Sequence, residues 1–422
     1  MTDDLPQAPQ DRADTGSLWR LDLPGVAVLP LQSPGDGIIR SYFADGLTSQ
    51  IIGSLARIPD LMVIAAGTML RYRSRKAEIR AVGAELGVRF VVSGTITRHD
   101  QRLTFNHDLW DATDGGLMWT DSVEANLDDL FEVECWIVAR IVNGILPMVR
   151  EAEIARAMLK PASSLTAYDL MLQALPELQK LEQAGLRKAS ALLDQAMTLD
   201  PGYGMAQAWG ARLRCLNIGQ GWSLDRARDT ADALRLARSA VASDPGSSLA
   251  LATAGHLHSY LLHDYASARP LFERAIAACH NDALALSLSS LTLAYCGEGA
   301  RAREQAQRAM RLSPMDPFLH MHCINLALAY YVEGEYACAE AWSRRSLAEN
   351  PRFTSSHKLL AAALVGQGRV SEARAVAHEL LRLEPAFGRQ TDWSPPMQDR
   401  GVRDLYIRQL RTAGALPAAA KS

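Results

Sequence analysis

Apolar and polar positions recur along this chain with two different periods, and the change of period divides it. GVAVLPL (25–31) is a short apolar run containing β-branched residues, followed by a Pro- and Gly-containing loop, SPGDG (33–37). Leu47, Ile51, Ile52 and Leu55 then repeat at helical spacing, with Asp45 or Thr48 as candidate cap. LMVIAA (61–66) predicts a strand after Pro59, and residues 77–86 an amphipathic helix closed by Gly87. VRFVVSGTITR (88–98) and RLTFNHDLWDA (102–112) predict a hairpin turning at 99–101. In its second arm Leu103, Phe105, His107 and Leu109 share one face by period two. The series is an α/β domain of order β-α-β-α-β-β over residues 25–125, with LMWTDSV (117–123) as a further short strand. A long helical pattern from Leu127 to Arg150, interrupted at Pro147, predicts a linking helix within 126–160.

Beyond residue 161 the pattern is helical throughout and it repeats. Pro201, Pro245, His280, Pro314, Pro351 and Pro385 follow successive helix ends at spacings of 44, 35, 34, 37 and 34 residues. Twelve and five residues before each stands a small residue: Ala189/Ala196, Ala233/Ala240, Ala268/Ala275, Ala302/Ala309 and Ala339/Ser346, with Ala373/Leu380 breaking the rule at its second member. Gly297, Gly334 and Gly368 lie five residues before the first small position, where a turn between two helices belongs. This register resembles the tetratricopeptide repeat, whose alanines let neighbouring helices approach closely. It predicts six repeats over 161–398, with about eight residues inserted within 219–231, and a polar capping helix over 399–416. The fold class is an α/β amino-terminal domain followed by an all-α tetratricopeptide-repeat superhelix.

Composition adds exclusions. Of 422 residues 48% are hydrophobic, too many for a disordered chain, and only 6% are aromatic, so alanine and leucine fill the core. A formal net charge of −3 argues against wholesale nucleic-acid or membrane-surface binding. The stretches 1–24 and 417–422 read as polar, disordered tails, the former without the basic and apolar regions of a signal peptide. No stretch reaches the about 18 apolar residues of a membrane span, and a cytoplasmic address follows as the expectation. The six cysteines form no C-x-x-C pair and read as small buried hydrophobes.

With these segments placed, residues 26–112 are similar to the TolB amino-terminal-like domain of bacterial signalling proteins. VAVLPL, YFADGLTSQIIGSLARI, ELGVRFVVSGTITR and the strand ending in LWDATDG carry the resemblance. In such proteins tetratricopeptide repeats commonly follow, and a cyclase catalytic domain or a winged-helix DNA-binding domain precedes. Here 24 polar residues stand upstream, so the resemblance implies a regulatory half without its output domain.

The search for chemistry returns no catalytic set. QSPGDGIIR (32–40) lacks the G-x-x-x-x-G-K-[ST] pattern of a phosphate loop, and no G-x-S-x-G elbow is present. His256, His258 and His263, and His320 with His322 and Cys323, are near in sequence. Residues two apart on a helix face different ways, so packing or surface histidines are the expectation over metal ligands. HELLR (378–382) has no second histidine. No enzyme, metal or cofactor is expected.

Two surfaces remain as candidates for protein partners. RYRSRK (71–76) places Arg71, Arg73, Arg75 and Lys76 in six residues, able to grip an acidic surface, or simply a solvated loop. The concave wall of the repeat array is the other. The register assigns to it Leu284, Ser287, Leu291 and Tyr295, then Met321, Ile324, Leu328 and Tyr331, and in the last repeat Lys358. Such an apolar groove suits a helix or an extended peptide, unless the array or the amino-terminal domain covers it. The expected function is a non-enzymatic scaffold, or the detached regulatory half of a nucleotide cyclase or transcription regulator. Partners are proteins rather than nucleic acid or membrane; the sequence leaves the oligomeric state open.

Overall fold

The computed structural model describes residues 23–33, 41–58, 60–73, 78–99, 102–126, 130–314, 316–391 and 393–418. Its amino-terminal domain is a mixed five-stranded sheet of order β2-β1-β3-β4-β5. The strands are β1 (Gly25–Val28), β2 (Met62–Val63), β3 (Phe90–His99), β4 (Arg102–Asp111) and β5 (Gly116–Asn126). β1 is buried along its whole length, as an apolar β-branched run requires when it runs parallel to both neighbours. Parallel strands need crossovers. α1 (Ser41–Leu55) carries the chain from β1 to β2, while α2 (Ala66–Met69) and α3 (Ile79–Leu86) carry it from β2 to β3. β3, β4 and β5 form an antiparallel meander with Val92 opposite Leu109 and Leu109 opposite Trp119.

Two local expectations are corrected and one holds. α1 starts at Ser41, so neither Asp45 nor Thr48 caps it. Instead the Thr48 hydroxyl donates to the Ala44 carbonyl (2.7 Å) and accepts from the Leu31 N–H (3.1 Å), tying α1 to the end of the first strand segment. The second strand is two residues long, because α2 and a 3-10 turn (Leu70–Tyr72) take up the chain that follows. Gly87 does adopt the left-handed conformation (φ 65°) after α3, with its N–H on the Gly83 carbonyl.

α4 (Leu130–Leu159) runs unbroken through Pro147 and is more than a link. Ile137, Ile141, Ile145 and Val149 recur every four residues, are buried, and complete the core between α1 and the sheet. Its other end packs on α5 (Ala167–Gln179) through Ala157. A chain of ion pairs follows the same path. Asp111 on β4 pairs with Arg89 (2.8 Å), Arg89 with Glu153 (3.0 Å), Glu153 with Arg156 (2.8 Å), and Asp169 with Lys160 (2.7 Å). Asp169 also closes a capping box with Thr166 at the start of α5. Leu23, assigned to the tail from sequence, packs with the apolar cluster at this junction.

The remainder is a tetratricopeptide-like superhelix of antiparallel helix pairs. α5 pairs with α6 (Gln183–Leu199), α7 (Gly204–Gly219) with α8 (Arg226–Ser243), and α9 (Ser248–Leu261) with α10 (Tyr265–Ala278). α11 (Ala283–Tyr295) pairs with α12 (Gly299–Leu312), α13 (Leu319–Val332) with α14 (Tyr336–Glu349), and α15 (Thr354–Gly366) with α16 (Val370–Leu383). α17 (Arg400–Thr412) covers α15. All the small positions read from the sequence are sealed from solvent, Ser346 and Leu380 included. Ser346 compensates for its hydroxyl by donating to the His320 carbonyl at 2.6 Å. Asp225, Ser247, Asp264 and Asp282 accept backbone N–H bonds at the starts of α8 to α11.

Gly297, Gly334 and Gly368 take φ of 77–81° in the turns between paired helices. His263 occupies the equivalent turn position with φ 55°. Gly221 (φ 72°) makes the turn after α7, and only residues 222–225 separate it from α8, so the expected insertion is shared between this loop and the longer helices α7 (16 residues) and α8 (18 residues).

Candidate binding cavity

The superhelix winds tightly enough that its beginning meets its end. Arg352 pairs with Glu182 (2.6 Å) across the array, and the Thr354 N–H lies 3.4 Å from Gln220 Oε1. Phe318, just before α13, stacks on Trp209 of α7 at 6.0 Å. A side chain at Gly221 would bring its Cβ within 2.7 Å of Glu384 Cγ, so both the positive φ and this contact demand glycine. The concave face is thereby drawn into a lumen, and a cavity of about 200 Å³ remains inside it.

Five first helices of the repeats contribute to that cavity: Ile218 from α7, His256 from α9, Leu291 from α11, Ile324 from α13 and Ser355 from α15. One wall is the chain's own. After α16, residues Gln390 and Trp393–Met397 run without regular secondary structure along the lumen. This strap is pinned where the Gln398 N–H donates to the Tyr295 carbonyl (2.8 Å) and where Trp393 packs edge-on against Phe387 at 5.1 Å.

Of the groove residues expected from the register, Leu291, Tyr295, Met321, Ile324, Leu328 and Lys358 line this cavity. Three do not. Ser287 is buried beneath it, accepting from Asn325 Nδ2 at 2.9 Å. Tyr331 turns under the carboxy-terminal helix, donating to Gln409 Oε1 and packing on Tyr406. Leu284 is half-buried against the apolar cluster of α9, α10 and α11. The register locates a face of each helix but not the closure of the superhelix, which swings the ends of neighbouring faces into other contacts. Of the basic stretch, Arg71 is exposed and Arg73 pairs with Asp45 of α1, while Arg75 and Lys76 lie outside the described residues.

The expected apolar groove is in fact polar at its ends. Lys358 Nζ meets Glu384 Oε2 at 2.7 Å, with both side chains buried, and stands 4.4 Å from the centre of the Phe387 ring. His256 stacks on Tyr260 at 5.3 Å, and burial lowers its pKa to about 3, so the ring is neutral. Cys215 also lines the cavity, but burial pushes its thiol up to about 12, which leaves it unreactive. Behind Met321 lies Arg212, 4% exposed, beside the stacked rings of Trp209 (5.4 Å) and Phe318 (5.9 Å). Glu384, Arg226 and the strap were beyond sequence reasoning, since they come from loops and second helices rather than from the register positions.

The other histidines separate as their helical spacing requires. His258 Nδ1 lies 3.2 Å from Asp264, His322 Nε2 lies 3.3 Å from Asp316, and His320 packs edge-on against Phe353. The His322 contact draws Asp316 down to about 2 despite burial, which acts the other way. Among the described residues no group of three or more His, Cys, Asp and Glu side chains could hold a metal ion. Among them, too, no helix is long and apolar enough to cross a membrane.

No family model matches the chain. Over 221 residues, 52% of its length, it is 29% identical to a putative adenylate cyclase 3 of Rhizobium meliloti (strain 1021), of which the match covers 38%. A tetratricopeptide repeat protein from Parabacteroides merdae superposes with a TM-score of 0.39, at 15% identity over 65% of this chain and 94% of that one. The Cut9–Hcn1 hetero-tetramer of APC/C gives 0.43, at 16% identity over 65% of this chain and 49% of that one. The chain thus spans well under two thirds of the cyclase and about half of the matched Cut9–Hcn1 chain. The structural likenesses bear on the fold alone.

Proposed function

We propose that this chain is a non-enzymatic regulatory scaffold that binds an extended segment of a protein partner in the concave face of its repeat array. One observation carries the reading: the lumen already accommodates an irregular, Pro-Pro-containing stretch of the chain itself, turned at Pro396 where the Met397 N–H donates to the Pro395 carbonyl (2.8 Å), and held by a backbone hydrogen bond to Tyr295 and by aromatic packing of Trp393. Backbone bonding plus pockets for side chains is how extended peptides are generally taken up. A partner segment would replace the strap on Leu291, Ile324 and Leu328, with Lys358 at one end of the groove. The amino-terminal domain, read as TolB amino-terminal-like, offers Arg71 and Arg73 as a second, electrostatic contact. Described cysteines are all unpaired, which suits a reducing cytoplasm.

Capture of partners by the wild type and by Leu291→Glu/Leu328→Glu tests the groove, with the same recovery from both ending the proposal. Arg71→Glu/Arg73→Glu should weaken capture more at low than at high salt.

The stretch shared with a putative adenylate cyclase supports a second reading, in which the chain is the regulatory part of a cyclase-type system. Cyclic AMP formation by a cyclase catalytic domain, measured with and without an equimolar amount of the chain, decides it. A rate that does not change removes this reading and leaves the first standing.

A further inference from the structure

Arg212 is a buried cation with no ion-pair partner among the described residues; Asp316 and Asp282 act on its charge only from beyond that distance, and Asp316 is held by His322. No carboxylate among the described residues lies within ion-pair distance, its Nε has no hydrogen-bond partner, and its one polar contact is Nη2 to Met321 Sδ at 4.0 Å. Elsewhere in the molecule buried charge is matched, as Asp169 is by Lys160 and Arg156, and Glu384 by Lys358. Burying an unpaired guanidinium is among the most unfavourable arrangements a fold can hold, and two adjacent rings recover only part of the loss. Arg212 does not itself line the cavity but stands behind Met321, which does, with Nη2 4.0 Å from its sulfur. His256 Nδ1 is likewise buried with no partner. Two further cations, Arg226 and Lys358, line the cavity, against one carboxylate, Glu384. The rest of the wall mixes apolar and aromatic side chains, Leu291, Ile324, Phe353 and Trp393 among them, with neutral polar ones such as Gln220 and Asn325.

We infer that the lumen cavity is a binding site for a small organic anion with a flat apolar body, its charge facing the Arg212 side and its body lying between the α11–α13 leucines and Trp393. A carboxylate, sulfonate or phosphate ester on a ring system meets both requirements: an acceptor for the unmatched guanidinium and for His256 in its N–H tautomer, and surface to cover the apolar wall. This goes beyond partner docking, because it needs no partner and places the ligand beneath the strap rather than in its place. Ligand bound there would hold the strap down and bias the groove toward its closed form, by preferring one of two states.

The probe is 8-anilinonaphthalene-1-sulfonate, titrated into the full-length chain by fluorescence, beside its neutral counterpart N-phenyl-1-naphthylamine. The expected result is one saturable sulfonate site per chain, with the neutral dye at least tenfold weaker. Arg212→Met should weaken sulfonate binding about tenfold while raising the thermal midpoint, since it removes an unmatched buried charge. Arg212→Lys, which keeps the cation, should retain most of the binding. Ile324→Trp, which fills the cavity, should abolish it and serves if Arg212→Met does not fold. Equal affinity for the two dyes overturns the proposal, as does Arg212→Met that lowers the midpoint and binds sulfonate like the wild type. Failure of partner capture with intact dye binding would refute the scaffold reading and leave this one in place.

Discussion

Replacing Lys358 by methionine should be the most informative single change in the array. Its side chain is 9% exposed and that of Glu384 only 4%, and the pair joins α15 to the end of α16 beside the cavity. Methionine keeps the volume of the stem but leaves the Glu384 carboxylate buried with no cation, which costs about 3–5 kcal/mol. Loss of the contact with Phe387, at 4.4 Å from the ring centre, adds about 0.5–1 kcal/mol. The double variant Lys358→Met/Glu384→Leu removes both charges, so its stability should return to within about 1 kcal/mol of the wild type or exceed it. Urea unfolding followed by circular dichroism gives the four corners of the cycle. Hydrogen exchange over Thr354–Leu383 locates the loss, since a repeat array need not unfold as one unit. A Lys358→Met cost under about 1 kcal/mol, or a double variant as unstable as the single one, would refute the claim that this pair is buried and coupled.

Gly221→Ala places a Cβ in a left-handed turn (φ 72°) and 2.7 Å from Glu384 Cγ, so a loss of about 1–3 kcal/mol is expected, read by thermal shift; a neutral result would mean the ends of the array do not close as described. His263→Gly relieves the left-handed residue (φ 55°) that stands where three other repeats have glycine, and should stabilise by about 0.5–1 kcal/mol in calorimetry, whereas destabilisation would show that its side chain matters more than its backbone. Burial holds His256 at about 3 against 6.5, so the unfolded chain takes up the proton first as pH falls. Stability should therefore drop between those values by at most about 1.4 kcal/mol per pH unit, and His256→Leu should flatten that part of the profile; a slope identical to wild type contradicts the assignment.

Much of the fold was legible because it is written in repeated small residues. Ala189 through Leu380 recur at fixed offsets, and those offsets survive because only a small or well-fitted side chain lets two helices touch. Gly297, Gly334 and Gly368 mark the turns for an equally local reason, their positive φ. The functional surface was legible only in part. Leu291, Ile324 and Leu328 follow from the register, yet Tyr331 obeys the same register and is taken up by Gln409, 78 residues away. The Lys358–Glu384 pair lies within the last helix pair but uses a residue just past the end of α16, outside the register positions. The strap and the surroundings of Arg212 depend on contacts between distant repeats. Those contacts are set by the accumulated twist of six helix pairs, and no single repeat encodes that sum. α4 illustrates the same limit, because its apolar spacing is plain while its role in the core of the sheet requires knowing that the chain turns back.

The central claim is that a partner segment and the strap compete for one groove. The direct measurement is the affinity of a captured partner for the wild type and for Trp393→Ala/Met397→Ala, compared by titration calorimetry, with hydrogen exchange over residues 393–398 recorded in the free and bound forms. Loosening the strap should tighten binding about fivefold to tenfold, as expected when a competing state is removed, and partner binding should raise exchange across the strap. Affinity that is unchanged or weakened in the variant, with exchange over the strap unaltered on binding, would contradict the account.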